Sequence, residues 1–344
     1  MITPKNERVT MRDGIKLSTD IYIPSAKDMR YPVILVRTIY GSNHYFDIQN
    51  LFQDGYALVW QQVRGSYSSE GELNPIHQEA TDGEDTIHWL IEQPWCNGKV
   101  GMAGMSYPAL ASCQAALRSP ESLVTAANIS AGSIFHGMGY IAPGIPDLET
   151  MLYWKGMLAG QRAIREGITF DHPYLIAQRS LMALHEDEAV SSGQLLSDWE
   201  RCKTVVNKEF TTLISQSLYD SVETLSSIVP WIQDWVNNDT PESAYWQEAD
   251  TYAQREKIKI PMLNVGGWFD LFIRSIFADF ANAPSGGPFQ KLIVAPVGHI
   301  EFGSPGVPMG EQQFACDPPE ERWFTASFGF SKDNLYRAWF DYWL

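Results

Sequence analysis

Short runs of hydrophobic residues recur along the chain and determine its predicted secondary structure. Two alternating runs, 7–11 and 15–23, flank the turn signal Arg12-Asp13-Gly14 and predict a β-hairpin. Continuous apolar runs of strand length follow at 32–36, 56–63, 99–103, 124–129, 258–265 and 291–296. Strands that are apolar on both faces are typical of a parallel sheet covered by helices on each side.

Helical patterns separate several of these strands. The segment 83–92, GEDTIHWLIE, groups Thr86, Trp89 and Leu90 on one stripe, carries acidic residues in its first turn and is ended by Pro94. Strands that alternate with helices are joined by right-handed crossovers. We therefore predict an α/β protein with a doubly wound, mostly parallel sheet.

The segment from about 145 to 256 interrupts the alternation. It contains no convincing strand, and helix-like patterns cover 148–165, 173–185, 192–206 and 218–238. We predict a core formed by residues 1–144 and 257–344 and a helical cap insertion at 145–256. The alternative is a packing extension that does not touch the substrate. The chain ends in a predicted amphipathic, aromatic helix at 334–344.

Charge and cysteine content narrow the classes of function. The formal net charge is -16, which argues against a nucleic-acid partner because a phosphate backbone requires a basic surface. The cysteines show no metal-ligand spacing and suit free thiols in a reducing compartment. Neither a signal peptide nor a run of about twenty apolar residues is recognisable. We expect a cytoplasmic protein without a membrane partner. Its four cysteines are Cys96, Cys113, Cys202 and Cys316.

The strongest chemical signal is a serine between a strand and a helix. The apolar strand at 99–103 leads into Gly104-Met105-Ser106-Tyr107-Pro108, and a good helix pattern follows at 109–118. Strand, sharp turn with serine, and helix form the context of a nucleophile elbow. Pro108 replaces the second glycine of the usual G-x-S-x-G motif, but proline is tolerated in the first turn of a helix. We predict Ser106 as the nucleophile, with an ordinary turn serine as the alternative.

A serine hydroxyl needs a general base, and the base needs a carboxylate that orients it. In α/β-hydrolases these residues follow the serine in the order acid, then histidine, each after a core strand. Asp270 follows the run 258–265 through Gly266-Gly267-Trp268-Phe269, and His299 follows the run 291–296. We predict Asp270 as the acid and His299 as the base.

Other residues compete for both roles. Asp147 and Asp234 are rival acids, and Asp270 has the alternative role of capping a helix at 271–279. The rival histidines lie on helical patterns or loops rather than after a late core strand; they are His44, His77, His88, His136, His172 and His185. A serine hydrolase with this triad requires neither a metal nor an organic cofactor.

These segments together resemble the cocaine esterase / glutaryl acylase (CocE/NonD) family of serine hydrolases, which is related to the Xaa-Pro dipeptidyl-peptidases (peptidase S15-like). The resemblance rests on MRDGIKLSTDIYIP, LVRTIY, QQVRGSYSSEGEL, EDTIHWLIEQPWCNGKVGMAGMSY, IKIPMLNVGGWFDLF and APVGH, and so extends over nearly the whole chain. It implies the α/β-hydrolase fold and an esterase or acylase activity. Family members usually continue into a C-terminal jelly-roll domain, which we expect to be absent here.

The resemblance also implies an oxyanion hole. Its members carry a tyrosine after the first core strand whose hydroxyl donates to the oxyanion, and Tyr40 takes that place. In a nucleophile elbow the second donor is the backbone N–H of the residue after the serine, here Tyr107. Three family positions differ in this chain: Ile39 replaces a common proline, Gln62 an aspartate and Ala109 a glycine.

The substrate class is predicted from the residues next to the acid. Family members that bind an α-amino group use extra carboxylates near the catalytic acid, whereas Leu271-Phe272-Ile273 comes directly after Asp270. We therefore expect a small-molecule ester or amide with a neutral or hydrophobic acyl group. Trp268 and Phe269 are predicted to line its pocket, with a core role for either as the alternative.

Three other possibilities stay open at this point. One is an Xaa-Pro dipeptidyl-peptidase-like peptidase, and another is a non-catalytic binding protein built on the hydrolase fold. The third is an inactive fragment of a longer hydrolase. In a natural short form of the family, we expect the surface that the jelly-roll domain normally covers to be covered by another partner or in a homo-oligomer.

Overall fold

The computed structural model describes residues 4–24, 29–41, 55–133, 135–186, 204–213, 215, 222–223, 225–295, 298–299 and 332–344. Among these residues, no helix has both the length and the apolar character needed to span a bilayer. Cys96 and Cys113 are free and buried. Cys202, Cys316, His44 and most of the predicted helix at 192–206 lie outside the described residues.

A mixed sheet forms the centre of the fold. Its strands are β1 (Lys5–Thr10), β2 (Lys16–Tyr22), β3 (Tyr31–Thr38), β4 (Ala57–Gln62), β5 (Cys96–Met105), β6 (Leu123–Ile129), β9 (Met262–Gly267) and β10 (Gln290–Ala295). The strand order is β1-β2-β4-β3-β5-β6-β9-β10, in which β1 and β2 pair antiparallel, β2 and β4 pair antiparallel, and every other pair is parallel. The predicted mostly parallel sheet is thus confirmed.

Both faces of the sheet are buried. Alternate residues of β3 point to opposite sides: Val33 and Leu35 belong to one apolar cluster, and Ile34 and Val36 belong to another. This explains why the strand is apolar at every position rather than at every second one. The first cluster includes Ile87, Leu90 and Ala115 from two helices, and the second includes Tyr336 and Phe340 from the C-terminal helix.

The helices largely follow the sequence pattern. They are α1 (Glu79–Ile91), α2 (Tyr107–Arg118), α3 (Leu148–Glu166), α4 (Pro173–Glu186), α5 (Trp231–Asn237), α6 (Ala244–Ala249), α7 (Thr251–Gln254), α8 (Ile273–Ala281) and α9 (Lys332–Trp343), and residues 204–213 are also helical. Helix α1 begins four residues before its predicted start. Its first-turn acids, Glu79 and Asp82, are buried and form ion pairs with arginines. They therefore belong to the protein interior rather than to an exposed helix start.

Two predicted elements are wrong in detail. The continuous helix at 218–238 is interrupted by a turn before Pro230, and α5 starts only at Trp231. Proline lacks an N–H and disfavours a helical conformation at the preceding residue, which ends the upstream helix. The strand predicted at 258–265 starts only at Met262, after Pro261.

The chain divides into two compact units. One contains residues 1–64, 69–137 and 246–344, and includes the main sheet; the other contains residues 65–68 and 138–245. The second unit is mainly helical but holds a short antiparallel hairpin of β7 (Tyr140–Ala142) and β8 (Ile145–Pro146), which turns at Gly144 with φ +73°. The expectation of no strand in the segment from about 145 to 256 is therefore wrong at its first two residues, which form β8. The cap at 145–256 stays a prediction.

Candidate active site

The carboxyl ends of four neighbouring parallel strands are aligned at one edge of the sheet. Met105 of β5 pairs with Ile129 of β6, Ile129 pairs with Val265 of β9, and Gly267 pairs with Ala295 of β10. The chain leaves this edge at Ser106, before Asp270 and before His299. Ligand sites of α/β proteins form at such an edge.

Ser106 lies in a strained turn between β5 and α2. Its backbone has φ 61° and ψ -127°, outside the regions that a serine normally adopts. The turn is held by the Ser106 N–H, which donates to the carbonyl of Ile129 at 3.0 Å, and by the N–H groups of Ala109 and Leu110, which donate to the Ser106 carbonyl. This is the geometry predicted for a nucleophile elbow.

Gly104 is required by the tightness of the same turn. A Cβ atom at position 104 would lie 2.3 Å from the carbonyl carbon of Pro108 and 2.4 Å from the nitrogen of Ala109. Both are backbone atoms and cannot move aside without opening the turn. Pro108 falls within the first turn of α2, as the sequence predicts, and Ala109 is fully buried.

His299 bridges Ser106 and Asp270. Its Nε2 lies 3.0 Å from Oγ of Ser106, and its Nδ1 lies 3.1 Å from Oδ1 of Asp270. An ionised carboxylate can only accept hydrogen bonds, so the tautomer that suits an ionised Asp270 carries its proton on Nδ1 and leaves Nε2 to accept the serine O–H. Among the histidines that the structure describes, His299 is the one in contact with this hydroxyl.

Asp270 is buried, with 3 % of its surface exposed. Its N–H donates to the carbonyl of Gly267, and its Oδ1 accepts the N–H of Phe272 at 2.8 Å. Oδ2 is buried and accepts no hydrogen bond from the part of the chain described. Helix α8 begins at Ile273 with Phe272 as the preceding residue, so Asp270 binds the turn before the helix rather than capping it at 271.

The two predicted oxyanion donors flank different strands. Tyr40 lies two residues after β3, where its N–H donates to Oγ1 of Thr38 at 2.9 Å. Tyr107 is the first residue of α2 and is buried, and its hydroxyl donates to Oε1 of Glu79 at 2.8 Å. Burial raises the pKa of Tyr107 well above its usual value, which keeps this hydroxyl protonated.

The buried ion pair whose carboxylate accepts the Tyr107 hydroxyl was not predicted from the sequence. Arg37 is fully buried, and its Nη1 donates to Oε2 of Glu79 at 2.5 Å. An arginine at the end of the apolar run 32–36 was the available signal, because a buried guanidinium requires a carboxylate partner. In the structure its carboxylate partners are two acids spaced i, i+3 at the start of α1, Glu79 and Asp82.

Trp268 and Phe269 are exposed. The exposed fractions are 60% and 53%, so the alternative of a core role is wrong for both. The backbone of Trp268 is nonetheless fixed, because its N–H donates to the carbonyl of Ala295 at 2.7 Å. Its ring packs edge-to-face against Phe277 of α8, with 6.2 Å between the ring centroids.

Comparison with known sequences gives a family match over most of the chain. The family model described as X-Pro dipeptidyl-peptidase (S15 family) matches residues 13–301. Cocaine esterase from Rhodococcus sp. (strain MB1 Bresler) is 31% identical over 307 residues, which cover 86% of this chain and 48% of that protein.

Solved structures show the same fold at lower identity. An aminopeptidase from a marine sediment Thaumarchaeota archaeon superposes with a TM-score of 0.64 at 20% identity, over 95% of this chain and 53% of that one. A CocE/NonD family hydrolase from Staphylococcus aureus gives a TM-score of 0.57 at 20% identity, over 87% of this chain and 46% of that one. The chain spans about half the length of cocaine esterase and of each of these two solved chains.

Proposed function

The chain belongs to the X-Pro dipeptidyl-peptidase (S15) family, and from this premise we propose that it is a serine hydrolase that cleaves an ester or amide with a neutral or hydrophobic acyl group. The family resemblance and the α/β-hydrolase fold predicted from the sequence are confirmed. The observation that carries the proposal is the continuous hydrogen-bonded series from Ser106 through His299 to Asp270.

The proposed reaction has two halves. His299 Nε2 takes the proton of Ser106 as Oγ attacks the carbonyl carbon, and the carbonyl oxygen becomes an oxyanion. His299 then returns this proton to the leaving group, which departs and leaves an acyl-enzyme. A water molecule repeats the sequence and releases the acid together with free Ser106. No cofactor or metal ion takes part.

Asp270 has an orienting and electrostatic role in this proposal. Its Oδ1 receives the Nδ1 proton and so selects the tautomer in which Nε2 can act as a base. The Phe272 N–H donates to the same oxygen and fixes the carboxylate in place. A buried negative charge next to the ring stabilises the imidazolium that forms during each half-reaction.

The proposed oxyanion hole consists of the Tyr107 N–H and the Tyr40 hydroxyl. Tyr107 starts α2, and N–H groups in the first turn of a helix are not needed by the hydrogen bonds of the helix itself. The helix N-terminus also carries a partial positive charge that favours an anion. Loss of one donor costs about 10²–10³ in rate in comparable sites.

The proposed acyl preference rests on the residues around the acid. Trp268 and Phe269 place two exposed aromatic side chains immediately before Asp270. The residues on its other side, Leu271-Phe272-Ile273, supply no carboxylate for an α-amino group. A small-molecule hydrolase for neutral or hydrophobic acyl groups fits these features better than an enzyme for amino-acid esters.

The test compares p-nitrophenyl acetate and butyrate with an Xaa-Pro p-nitroanilide, using the native protein and Ser106→Ala. Turnover of the esters by the native protein alone supports the proposal. Preference for the anilide would instead favour the X-Pro dipeptidyl-peptidase activity named in the family description. A folded native protein that hydrolyses none of them would favour a non-catalytic binding role.

A further inference from the structure

The hydroxyl of Tyr107 is held on two sides, although only the backbone of this residue has a role in the proposed reaction. It donates to Oε1 of Glu79 at 2.8 Å and accepts the N–H of Ile76 at 3.3 Å. All three residues are buried, with exposed fractions of 1%, 2% and 1% for Tyr107, Glu79 and Ile76. The ring therefore has a fixed position relative to the start of α2.

Backbone strain is present at both attachments of Tyr107. Ser106, which precedes it, has φ 61°, and Ile76, which donates to its hydroxyl, has φ 66°. A positive φ is a genuine outlier for a β-branched residue such as isoleucine. Strain of this kind persists only where the surroundings over-determine the conformation, and it concentrates at functional sites.

Glu79 also holds the end of β3. Nη1 of Arg37 donates to Oε2 of Glu79 at 2.5 Å and to the Glu79 carbonyl at 2.9 Å. Arg37 is the penultimate residue of β3, and the next residue, Thr38, accepts the N–H of Tyr40 through its Oγ1. The Glu79 carboxylate thus has two contacts. It binds the Tyr107 hydroxyl directly, and through Arg37 it holds the strand that leads to Tyr40.

Stability alone is a weak reason for this arrangement. A fully buried ion pair must repay the desolvation of both charges, and well-packed apolar residues of similar volume are often as stable or more stable. Arg37 is further constrained by its Nε, which donates to Oε1 of Gln61 at 2.8 Å. Directional contacts of this kind fix a distance between elements more narrowly than apolar packing does.

We propose that Glu79 is a positioning residue that sets the spacing between the two oxyanion donors, the N–H of Tyr107 and the hydroxyl of Tyr40. This inference rests on the proposed function, since it presumes an oxyanion hole made by those two groups. Oxyanion stabilisation depends on donors that are already placed where charge develops. Loss of either contact of Glu79, with Tyr107 or with Arg37, should therefore weaken binding of the transition state more than binding of the substrate.

Tyr107→Phe is the primary variant, because it removes the hydroxyl and leaves the Arg37–Glu79 ion pair in place. Tyr56→Phe is the matched control: the Tyr56 hydroxyl also donates to a carboxylate, Oδ1 of Asp341, at 2.5 Å, but it precedes β4 at the opposite edge of the sheet. Glu79→Gln alone and combined with Tyr107→Phe complete the set. Circular dichroism checks that each variant is folded.

We measure kcat and KM for p-nitrophenyl butyrate and Ki for butylboronic acid, which forms a tetrahedral adduct with an active serine. For Tyr107→Phe, kcat should fall about ten-fold, less than for complete loss of a donor. KM should change less than two-fold, and Ki should rise by about the factor by which kcat falls. The double variant should be no slower than the slower single variant, because both changes break the same connection.

Other outcomes separate the two proposals. Values of kcat and Ki for Tyr107→Phe that match those of Tyr56→Phe would overturn the positioning role and leave the hydrolase standing. A rise in KM with an unchanged kcat would also overturn it. If the folded native protein neither hydrolyses the ester nor binds the boronic acid, the proposed function fails and the positioning role fails with it.

Discussion

Asp270 contacts His299 through the same oxygen, Oδ1, that accepts the backbone N–H of Phe272. The distances are 3.1 Å to Nδ1 of His299 and 2.8 Å to the Phe272 nitrogen, and Oδ2 is buried beside them without a hydrogen bond from the residues described. The carboxylate is therefore fixed by a turn that leads directly into α8. Orientation of the imidazole is built into the local backbone.

Asp270→Asn removes the charge that holds the histidine in its productive tautomer. The amide oxygen can still accept the N–H of Phe272, so the fold should be retained, but an amide can also donate to Nδ1, and the negative charge that favours a proton on Nδ1 is lost. We expect kcat for p-nitrophenyl butyrate to fall by about 10²–10⁴ with KM nearly unchanged. Loss of substrate affinity with an intact kcat would contradict the assigned role. Asp234→Asn, at an exposed rival acid, serves as the control.

Gly104→Ala tests whether the turn at Ser106 is as tight as its contacts indicate. The added methyl group would meet backbone atoms at 2.3 and 2.4 Å, so we expect a loss of about 3 kcal/mol in the free energy of unfolding, together with loss of activity. Gly98→Ala is the control, because Gly98 has φ +93° but open space around it. That change should cost only about 1–2 kcal/mol and spare kcat.

Urea denaturation measures both glycine variants. Equal losses of stability for Gly104→Ala and Gly98→Ala would contradict this expectation. They would mean that the nearby backbone of Pro108 and Ala109 does not restrict the residue at position 104.

Much of the core could be predicted because each strand is apolar on both faces. Val33 and Leu35 pack on one side of β3 while Ile34 and Val36 pack on the other, and this pattern is visible in the sequence without any long-range information. Ser106, Asp270 and His299 each follow a core strand in the sequence. This position predicts that the three distant residues lie together at the carboxyl ends of the strands. Parallel strands end together, which makes this inference a matter of topology.

Asp279 on α8 predicts a distinctive pH dependence of stability. Burial raises its pKa to about 8, and the nearby Asp250 adds to this effect. In the unfolded chain the pKa is about 3.9, so between these values the native state retains a proton that the unfolded state releases. The contribution of Asp279 to stability is thus full below about pH 4 and is lost as the pH rises toward 8.

Asp279→Asn stays uncharged at every pH and removes this dependence. Relative to the native protein, the variant should become progressively more stable as the pH is raised from 5 to 8. Denaturation midpoints of both proteins at several pH values measure the difference. Curves that stay parallel over this range would show that the Asp279 carboxyl is not protonated in the native state.

Exposed aromatic residues next to the acid should affect substrate affinity and leave stability unchanged. For Trp268→Ala and Phe269→Ala we expect the free energy of unfolding to stay within about 0.5 kcal/mol of the native value. KM for p-nitrophenyl phenylacetate should rise several-fold, and KM for the acetate should change less. Phe289→Ala is the control, because Phe289 is 54% exposed but precedes β10 at the other edge. Equal effects of all three variants would argue against an aromatic acyl site.

Side-chain partners, rather than helices and strands, are the part that the sequence could not provide. In the sequence Glu79 is typical of a solvated acid at a helix start, and only the fold brings it against Arg37, which is 42 residues away. Tyr107 is likewise predicted as a backbone donor, whereas its hydroxyl is part of a buried polar network. Pro230 is a local signal for a helix end, but the helix-like pattern of 218–238 as a whole favours one continuous helix.

Labelling with a fluorophosphonate tests the central claim most directly, because the reagent reacts preferentially with an activated serine. Mass spectrometry of the native protein should show one adduct, on Ser106, and Ser106→Ala should show none. Ser130→Ala is the control, since Ser130 also follows a core strand with a positive φ, of 53°, and this variant should be labelled like the native protein. An unlabelled native protein that is demonstrably folded, or undiminished labelling of Ser106→Ala, would contradict the assignment.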